Sequence, residues 1–424
     1  MTGTGSGLTR RTVLASGLAA GTTTATRAAP RLTLTVAAFP LLHEIARAAI
    51  PLWQQQHPDV AIHIVMRQYA DHHTAMTTAL STATLLPDVM ALESTYVGRF
   101  AHGSGLEDLA QEPYGIARHR AQLVPYAYNQ ALTRRGAVVA MPTDIGPGTL
   151  LYRKDILDRA GVAEAELTQS WDSYIEVASR IKARTGAYVI AHAQQVKDII
   201  IRTGFKPGEG LYFDQDSRVL VDSPRFVRAF EVARELRRRK LDARVAAWSN
   251  EWAEGFRRGT LATELSGAWL VGQLSNWVAP QTAGLWRAAP LPESSFVAYG
   301  GSFYAIPRRA EPERKALAWD FIRLLTLNRE RQLLALKQYD AFPALQDCHD
   351  DPFFEQPVSF LAGQPARLLW RDAARRIGAT PVHKQNGFAD EVIGTELSNV
   401  MERGKSIPAA LADAKRLLER RAHR

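Results

Sequence analysis

From Leu32 to Leu92 the sequence alternates strand-like and helix-like patterns, and this alternation restricts the fold more than any other feature. Leu32 begins a period-two run, Leu41 to Gln56 carries apolar residues at helical spacing, and Ala61 to Val65 is a second strand pattern. A helix pattern from His72 to Leu85 and the short apolar run Val89 to Leu92 follow. Strands joined by helices form crossover connections, so the order predicts an α/β fold with a mostly parallel sheet.

A stretch rich in proline and glycine separates two later strand patterns. Ala137 to Met141 and Thr149 to Tyr152 are strand-like, and Pro142 to Gly148 connects them. Such a connection between two extended runs is typical of a hinge, because glycine and proline interrupt regular structure. The sequence therefore predicts that the chain passes here from one structural unit to another.

A second alternating α/β unit follows this connection. Ser170 is a favourable N-cap for a helix from Trp171 to Lys182 that ends at Gly186. Ser223 precedes a proline at the first position of the next predicted helix. Helices are also predicted from Glu313 onward, and further strand-like runs are Leu261 to Leu265, Leu285 to Pro290 and Phe303 to Pro307.

The charge of the chain does not indicate a nucleic-acid partner. The 424 residues carry a formal net charge of +9, and part of it comes from Arg10, Arg11 and Arg27 near the start. Basic stretches at Arg234 to Lys240 and Arg416 to Arg424 place leucines on one side at helical spacing, which is typical of solvated helix faces. No aromatic residues alternate with these charges as a stacking surface for bases requires. The length predicts two or three domains.

The first residues resemble an export signal. Thr9 to Leu14 contains a twin arginine, and the apolar run Val13 to Ala20 is too short to span a bilayer. We therefore predict a twin-arginine signal peptide over residues 1–29, the alternative being a disordered start with two chance arginines. Cys348 is the only cysteine, so no internal disulfide and no lipid anchor after the signal can form. Later apolar runs stay well short of eighteen residues, which predicts a free periplasmic protein that is not inserted in the membrane.

Common catalytic and cofactor motifs are missing from the sequence. It contains no P-loop, no G-x-S-x-G, no H-E-x-x-H and no paired C-x-x-C. Asp71 to His73 and Asp347 to Asp351 contain metal-ligand types, but adjacent residues rarely point at one ion, so surface and capping roles are favoured. We expect no cofactor, no metal site and no catalytic residues.

Tryptophans are the most informative candidate binding residues. The chain has nine, and Trp269 follows Gly267-Ala268 at the carboxyl end of a predicted strand, where ligands gather in open α/β sheets. Trp269 faces either a ligand or the core; an indole there offers a flat apolar face to the C–H side of a sugar ring. Trp53, Trp252 and Trp319 lie within apolar helix faces, which predicts core positions.

Several stretches, in order along the chain, resemble one known family. They are PDVMALESTYVGRF, MPTDIGPGTLLYRKDILDRAG, SWDSYIEVASRI, LSGAWLVGQLSNWVAPQTAGLWRAAPLP, YGGSFYAIPRRAEPERKALAWDFIRLLT and YDAFPAL. The chain resembles bacterial extracellular solute-binding proteins of family 1, the relatives of maltose-binding protein that deliver sugars to ABC importers. With the opening strand-helix-strand pattern, the similarity covers almost the whole chain after residue 30.

The resemblance implies a two-lobe periplasmic binding protein fold. Each lobe is expected to hold a mostly parallel sheet flanked by helices, several crossings connect the lobes, and the ligand cleft lies between them. The expected N-terminal lobe is 30–142 with 296–342, and the expected C-terminal lobe is 143–295 with 343–424. The resemblance implies no chemistry on the substrate and a monomer whose partners are the permease subunits of an importer.

The resemblance also implies a set of cleft residues. Carboxylates would accept hydrogen bonds from sugar hydroxyls, and glycines would let backbone amides approach a ligand closely. Alternatives stay open: Asp144 braces the hinge, Glu93 neighbours a helix cap, His43 lies on a helix surface, and the aromatic residues only pack. Tyr339-Asp340 departs from the family pattern before Pro343. The candidate ligand-binding residues are Phe39, His43, Glu93, Ser94, Asp144, Trp269, Tyr299, Gly300, Gly301 and Phe388.

The expected function is therefore that of a periplasmic receptor for a mono- or oligosaccharide, serving an ABC importer without catalytic turnover. A receptor of the same fold for a non-sugar solute, such as a polyol phosphate, a polyamine or an anion, is an alternative. A twin-arginine-exported hydrolase is a further alternative, but it needs a positioned acid/base pair or a metal that the sequence does not offer in a recognisable form.

Overall fold

A computed structural model describes residues 31–422, with residues 102, 104 and 134 left out. The predicted signal peptide over residues 1–29 lies outside the described residues. Within the described part of the chain, none of the helices has the length and apolar character that crossing a membrane requires.

The first part of the chain alternates as the sequence predicts. Strands β1 and β2 pair in parallel, and β1 also pairs in parallel with β3. The second helix begins at Tyr69, three residues earlier than predicted, and ends at Thr82 because Ala83 adopts a left-handed conformation with φ of 55°. The elements are β1 (Leu32–Ala38), α1 (Leu42–Gln56), β2 (Val60–Met66), α2 (Tyr69–Thr82), β3 (Val89–Glu93), α3 (Ser94–Ala101) and α4 (Pro125–Gln130).

The remaining helices and strands lie in the described residues from 141 onward. In order they are β4 (Met141–Arg153), α5 (Lys154–Ala160), α6 (Glu164–Thr168), α7 (Trp171–Thr185), α8 (Gln194–Ile200), α9 (Pro224–Arg238), α10 (Asn250–Arg258), β5 (Thr263–Gly267), α11 (Leu270–Gln273), β6 (Trp286–Ala289), β7 (Ala298–Ala305), α12 (Pro312–Thr326), α13 (Arg329–Tyr339), α14 (Ala366–Arg376), α15 (Asn386–Arg403) and α16 (Ile407–Ala422).

Strand β4 replaces the predicted hinge connection. All of its 13 residues are buried, and it runs without interruption through the proline- and glycine-rich stretch that was expected to separate two strands. Its pairing with β7 shifts register between Pro142 and Asp144 and between Ile145 and Pro147. Such irregularities bend a strand without ending it, so the passage between the lobes is a continuous extended segment.

The sheet is mixed rather than mostly parallel. Its strand order is β2-β1-β3-β7-β4-β5, with β6 paired to β4. Strand β7 runs antiparallel to β3 and β4, and β4 also runs antiparallel to β5 and β6. In the second half, isolated parallel bridges join Tyr188 to Leu261 and Ile190 to Asp242. The α/β class and the crossings are as expected, whereas the parallel content is lower.

Of the two predicted N-cap serines, one caps its helix and the other does not. Ser170 accepts a hydrogen bond of 3.0 Å from the Ser173 amide, and Gly186 ends the helix with φ of 76°, so this helix is confirmed. Ser223 precedes α9 and Pro224 lies at its start, but the Ser223 hydroxyl makes no capping bond. The proline alone therefore provides the local start signal, since its φ already suits a first helical turn.

The core divides into three main clusters. One uses residues 34–141 and 303–341, and a second uses 150–297 and 389–422. A third joins residues around Ile145 and Trp286 to the 336–374 region. Trp53, Trp252 and Trp319 are buried, which confirms their predicted core positions. The exact lobe boundaries stay a prediction.

Candidate functional site

Three strands bring polar side chains into one row where the lobes meet. Glu93 of β3 pairs with Ser302 of β7, which in turn pairs with Asp144 of β4. Directly opposed residues in antiparallel strands place their side chains on the same face of the sheet. The row therefore gathers two predicted carboxylates, and the Ser302 side chain bonds to Asp144 between them.

The Glu93 carboxylate is already used by its own lobe. It accepts hydrogen bonds from the Tyr69 hydroxyl at 3.1 Å, from the Ser94 hydroxyl at 2.6 Å and from the Thr95 amide at 2.9 Å, and it also bonds to the Thr95 hydroxyl. An ionised carboxylate offers about four acceptor positions. Glu93 thus satisfies the start of α3, which corresponds to the helix-cap alternative.

Asp144 is buried beneath the cleft. Its Oδ1 has no hydrogen-bond partner among the described residues, and the same holds for the hydroxyls of Tyr126 and Tyr304. Burial raises the pKa of Asp144 to about 7, the bond from Ser302 lowers it, and the charge of Glu93 raises it. Burial raises the pKa values of both tyrosines, and the neighbouring Asp144 adds to the effect. These groups form a polar layer under the crossing strands.

Phe39 and His43 pack within the first lobe. The Phe39 ring lies 5.6 Å from the ring of Tyr69 and 5.2 Å from that of His73. The His43 Nδ1 atom, in the first turn of α1, is buried without a hydrogen-bond partner in the described structure. For Phe39 these contacts correspond to the packing alternative.

A cavity of about 300 Å³ on the C-terminal side is walled by tryptophan, and we call it the tryptophan cavity. Its aromatic walls are Trp248, Trp252 and Trp269, and Tyr299 closes one side. Its polar lining is provided by His192, Gln194, Gln195, Asp198, Glu264 and Ser266. Apolar walls with a few convergent polar groups are typical of small-molecule sites.

Trp269 is held firmly in this wall. It follows β5 and precedes α11, and its Nε1 donates a hydrogen bond of 2.9 Å to the Tyr299 carbonyl. Its ring lies nearly parallel to that of Trp248, with 5.9 Å between centroids and 15° between planes. A Cβ on Gly267 would lie 2.3 Å from Trp269 Nε1, so only glycine permits this approach. Gly300, with φ of 86°, also needs glycine.

Glu264 brings an unusual carboxyl group to the tryptophan cavity. The side chain of this β5 residue is nearly inaccessible, and it accepts hydrogen bonds from Trp252 Nε1 at 3.4 Å and from Gln195 Nε2. Burial raises its pKa to about 8, although both hydrogen bonds oppose the shift. Glu264 is therefore largely protonated at neutral pH, and its O–H can donate to a ligand oxygen.

A second cavity of about 870 Å³ lies on the other side of Tyr299 and Gly300, and we call it the polar cavity. It is lined from both lobes, by α2 and α3 on one side and by the segment before α15 on the other. Its polar and charged lining includes His73, Ser94, Tyr96, Arg99, Arg202, Tyr212, Lys384, Asp390 and Arg421, and Phe388 also lines it.

Two charged residues on the C-terminal side of the polar cavity, Asp390 and Arg202, are already paired. Asp390 accepts a hydrogen bond of 2.5 Å from the Tyr212 hydroxyl and lies 3.3 Å from Lys197 Nζ. Burial opposes this charge, but Lys197 and the bond from Tyr212 hold the pKa of Asp390 below its ordinary value. Arg202 lies 5.6 Å from the centre of the Tyr299 ring and contacts Asp198. This network supports the wall between the two cavities.

The segment between α14 and α15 lies across both sides of the polar cavity. Val382 Cγ1 is 2.3 Å from where a Cβ on Gly98 of α3 would be, so the two segments are in close contact. The His383 ring stacks on Phe213 with 4.0 Å between centroids. At the start of α15, the Arg421 guanidinium lies 4.1 Å from the centre of the Phe388 ring and covers one of its faces.

The structure separates the ten predicted site residues into three groups. Trp269 and Tyr299 line the tryptophan cavity, and Ser94, Gly300 and Phe388 line the polar cavity. The remaining five, Phe39, His43, Glu93, Asp144 and Gly301, are not in the lining of either cavity, and Gly301 packs against the main chain of Asp144.

Sequence reasoning missed Trp248 and Glu264. A charged residue inside the buried run LATELSG is a signal for Glu264, because acidic groups are seldom buried without a role. Trp248 directly precedes the N-cap Ser249 and follows the small residues Ala246 and Ala247. The two histidines of the Asp71–His73 cluster do not converge: His72 Nε2 bonds to the Ala91 carbonyl and His73 Nδ1 to the Tyr69 carbonyl.

Several known proteins are similar to this chain. A lactose-binding protein of Rhizobium radiobacter is 24% identical over 390 residues, covering 86% of each chain. An arabinooligosaccharide-binding protein of Halalkalibacterium halodurans is 22% identical over 325 residues, covering 74% of this chain and 71% of that protein.

Solved structures share the fold. A crystal structure of an extracellular solute-binding protein of family 1 has a TM-score of 0.80 at 22% identity, covering 92% of this chain and all of that one. The ABC transporter associated binding protein from B. animalis subsp. lactis, in complex with β-1,6-galactobiose, has a TM-score of 0.75 at 23% identity, covering 93% and 98%. The family described as bacterial extracellular solute-binding protein matches residues 37–332. With two α/β lobes, crossing strands and a lined cleft, the chain belongs to the bacterial extracellular solute-binding protein family.

Proposed function

We propose that this protein is the substrate-binding receptor of an ABC importer and binds a mono- or oligosaccharide in the tryptophan cavity. One observation carries the proposal: three tryptophans surround a neutral carboxylic acid, a carboxamide and a hydroxyl, from Glu264, Gln195 and Ser266. A sugar ring has apolar C–H faces and a polar edge of hydroxyls. Tryptophan walls match the faces, and the polar groups match the edge.

The similar proteins support a carbohydrate ligand. Two relatives are lactose- and arabinooligosaccharide-binding proteins, and one structural neighbour holds β-1,6-galactobiose. At 22–24% identity they support the class of ligand and leave its identity open. We therefore propose a neutral sugar as the physiological solute.

Of the ligand-binding residues predicted from sequence, we propose direct contact for Trp269, Tyr299 and the neighbouring Gly300. Ser94 and Phe388 would contact the parts of a ligand that extend into the polar cavity. We assign Glu93 and Asp144 a supporting role at the crossing strands, since the Glu93 carboxylate already accepts four hydrogen bonds and Asp144 is buried. The lobes would close on the ligand by bending at the crossing strands.

The cellular setting follows from the family and from the sequence. We propose export by the twin-arginine signal, a periplasmic location, a monomeric state and delivery of the sugar to the permease subunits without turnover. We also propose the lobe division at 142/143, 295/296 and 342/343; the first core cluster, over residues 34–141 and 303–341, supports it, whereas Val297 packs in the second cluster, two residues past the 295/296 boundary.

A thermal-unfolding screen of the protein from Pro30 onward tests the proposal. The panel contains galactose, lactose, β-1,6-galactobiose, maltose, arabinose and arabino-oligosaccharides, with spermidine, inorganic phosphate and glycerol 3-phosphate as non-sugar solutes. A ligand at about a thousand times its Kd stabilises the folded state by roughly 4 kcal/mol. A stabilisation limited to sugars, with no product formed, supports the receptor function; a shift with non-sugar solutes alone contradicts the carbohydrate assignment.

An anionic solute is a second candidate because of one feature of the polar cavity. Arg99, Lys384 and Arg421 line it and form no ion pair with other residues that the structure describes. A ligand with a phosphate or carboxylate could bind to these cations. Stabilisation by glycerol 3-phosphate with no response to sugars would favour this candidate. Release of product from a sugar in a glycoside-hydrolysis assay would instead favour a hydrolase.

A further inference from the structure

Six of the nine tryptophans are buried, and the other three lie next to one another. Trp248 and Trp277 are 54% and 55% exposed, and Trp269 is partly exposed in the wall of the tryptophan cavity. The Trp248 ring is nearly parallel to both neighbours, at 15° to Trp269 and 26° to Trp277, with 5.9 and 6.3 Å between centroids. The three indoles form a stepped aromatic surface that runs from inside the cavity to the solvent.

Backbone geometry at the two outer tryptophans is unusual. Trp248 has φ of 68°, a left-handed conformation that a bulky side chain seldom adopts. Trp277 lies on a π-helical turn over Leu274–Val278, a rare geometry that is frequent at functional sites. Both features cost stability, and both display an indole to solvent instead of burying it. Two independent irregularities of the backbone thus place indole rings on the same exposed surface.

We propose that Trp248 and Trp277 form an outer stacking subsite that binds the second ring of an oligosaccharide whose first ring occupies the tryptophan cavity. This inference rests on the proposed function and narrows it to a ligand of at least two sugar rings. The tryptophan cavity itself holds the first ring only. The ligand extends along the aromatic steps toward solvent.

A saccharide fits this surface better than a protein partner does. Trp248 lines the tryptophan cavity, so the outer surface is continuous with the proposed sugar site. At Trp277 the ring offers mainly its flat faces, because its Nε1–H is held by Gln273 Oε1 at 2.5 Å. Stacking uses the C–H face of a sugar ring and requires no hydrogen bond to a particular hydroxyl, so we expect the subsite to select for the number of rings more than for the identity of the sugar.

Calorimetric titration of matched sugar series tests the inference. The series are arabinose, arabinobiose and arabinotriose; galactose, lactose and β-1,6-galactobiose; and glucose, maltose and maltotriose. The proteins are the parent, Trp277→Ala, Trp277→Phe and the surface control Leu417→Ala. Trp277 lies outside the cavity lining and Leu417 is exposed on α16, so both alanine variants should fold.

We expect the parent to bind two- and three-ring members of one series more tightly than the one-ring member, by about tenfold or more. Trp277→Ala should lose that gain and keep the one-ring affinity, Trp277→Phe should retain most of the gain, and Leu417→Ala should match the parent. Equal loss at every length, or unchanged affinities in Trp277→Ala, would overturn the inference while leaving sugar binding intact. Absence of sugar binding by the parent would overturn the proposed function as well.

Discussion

The two cavities of the cleft share a wall and differ in chemistry. The tryptophan cavity is small, and its walls are aromatic around a carboxyl group that is largely neutral at pH 7. The polar cavity is almost three times as large, and its lining is rich in charged groups. Tyr299 lines the tryptophan cavity, and the adjacent Gly300 lines the polar cavity. Cavity volume alone would place the ligand in the second, whereas the chemistry of a neutral sugar favours the first.

This difference shows that exposed groups without a partner indicate a binding site better than the volume of a cavity does. In the polar cavity, Asp390, Lys197 and Tyr212 already satisfy one another. In the tryptophan cavity, exposed indole faces have no partner in the described structure other than each other. A ligand that covers apolar surface exposed in the free protein removes it from water, and this burial contributes to the affinity.

The shared wall is the point where one substitution should disturb both cavities. In Gly146→Ala the new Cβ would lie 2.0 Å from the Tyr299 carbonyl oxygen, the atom that also accepts the Trp269 hydrogen bond. Because both neighbours are main chain, relief needs a shift of β7 against β4, and we expect a loss of about 3 kcal/mol in the free energy of unfolding. Urea unfolding measures the loss.

Gly387→Ala is the matched control on the polar cavity. It lies in the first turn of α15 with no atom within 4 Å of an added Cβ, so its unfolding free energy should stay within about 1 kcal/mol of the parent and rise if anything. Equal losses in the two variants would mean that the wall is no more constrained than the rim of the polar cavity.

Trp269→Ala tests which cavity holds the sugar. Removal of an anchor aromatic from the wall should weaken sugar binding by about 2 kcal/mol or more, roughly thirtyfold in Kd. Trp269→Phe keeps an aromatic face but cannot donate to Tyr299, and we expect an intermediate affinity. Calorimetry with the sugar identified by the unfolding screen gives both values. Parent-like binding by the alanine variant would remove the tryptophan cavity from the proposal.

Glu264→Gln tests the protonated carboxyl group of the tryptophan cavity through the pH dependence of stability and of sugar affinity. Burial raises the pKa of Glu264 from its ordinary value near 4.5 to about 8, so the folded state keeps a proton that the unfolded chain releases. The free energy of unfolding should therefore fall as pH rises from about 4.5 to about 8, and sugar affinity should fall above pH 8. Glutamine cannot titrate, so both dependences should flatten.

Urea unfolding and calorimetry between pH 5 and pH 9 measure the effect of Glu264→Gln. Asp144→Asn is the control, because the pKa of Asp144 is raised to about 7 by burial in the same way, yet Asp144 lines neither cavity. It should flatten the stability profile below pH 7 and leave sugar affinity above pH 8 unaffected. A parent whose sugar affinity is equal at pH 6 and pH 9 would contradict donation by Glu264.

The smallest effect is expected in the polar cavity. Lys384→Ala and Arg421→Ala remove cations that a neutral sugar in the tryptophan cavity does not contact, so Kd should change by less than about twofold, within the usual range for surface substitutions. Raising the salt concentration should also have little effect, because screening acts on charged ligands. A severalfold weakening in either variant, together with strong salt dependence, would point to an anionic solute.

The sequence predicted elements best where local signals decide them. The helix at Trp171 has its cap serine and its terminal glycine within a few residues, and the alternating pattern from Leu32 onward depends on local spacing alone. Strand β4 was missed because glycine and proline favour turns locally, whereas pairing with strands on both sides keeps the segment extended.

Sites depend on contacts that local patterns do not contain. Glu93 has the residue type of a sugar ligand, but Tyr69, 24 residues earlier, uses part of its acceptor capacity. Trp248 and Trp269 meet only because α10 and β5 fold back between them. Trp269 was recognisable because a strand end and a helix start both lie beside it in sequence, whereas Trp248 has only a helix start beside it.

The continuity of β4 has a consequence for how the lobes move. Its amides bond to β7 over one part and to the β5 and β6 region over the other, and the whole strand is buried. Amide protons of such a strand exchange with solvent only through large openings. Hydrogen exchange should therefore be slowest in the very segment that joins the lobes. A force that separates the lobes would therefore act on a hydrogen-bonded strand and not on an unpaired loop.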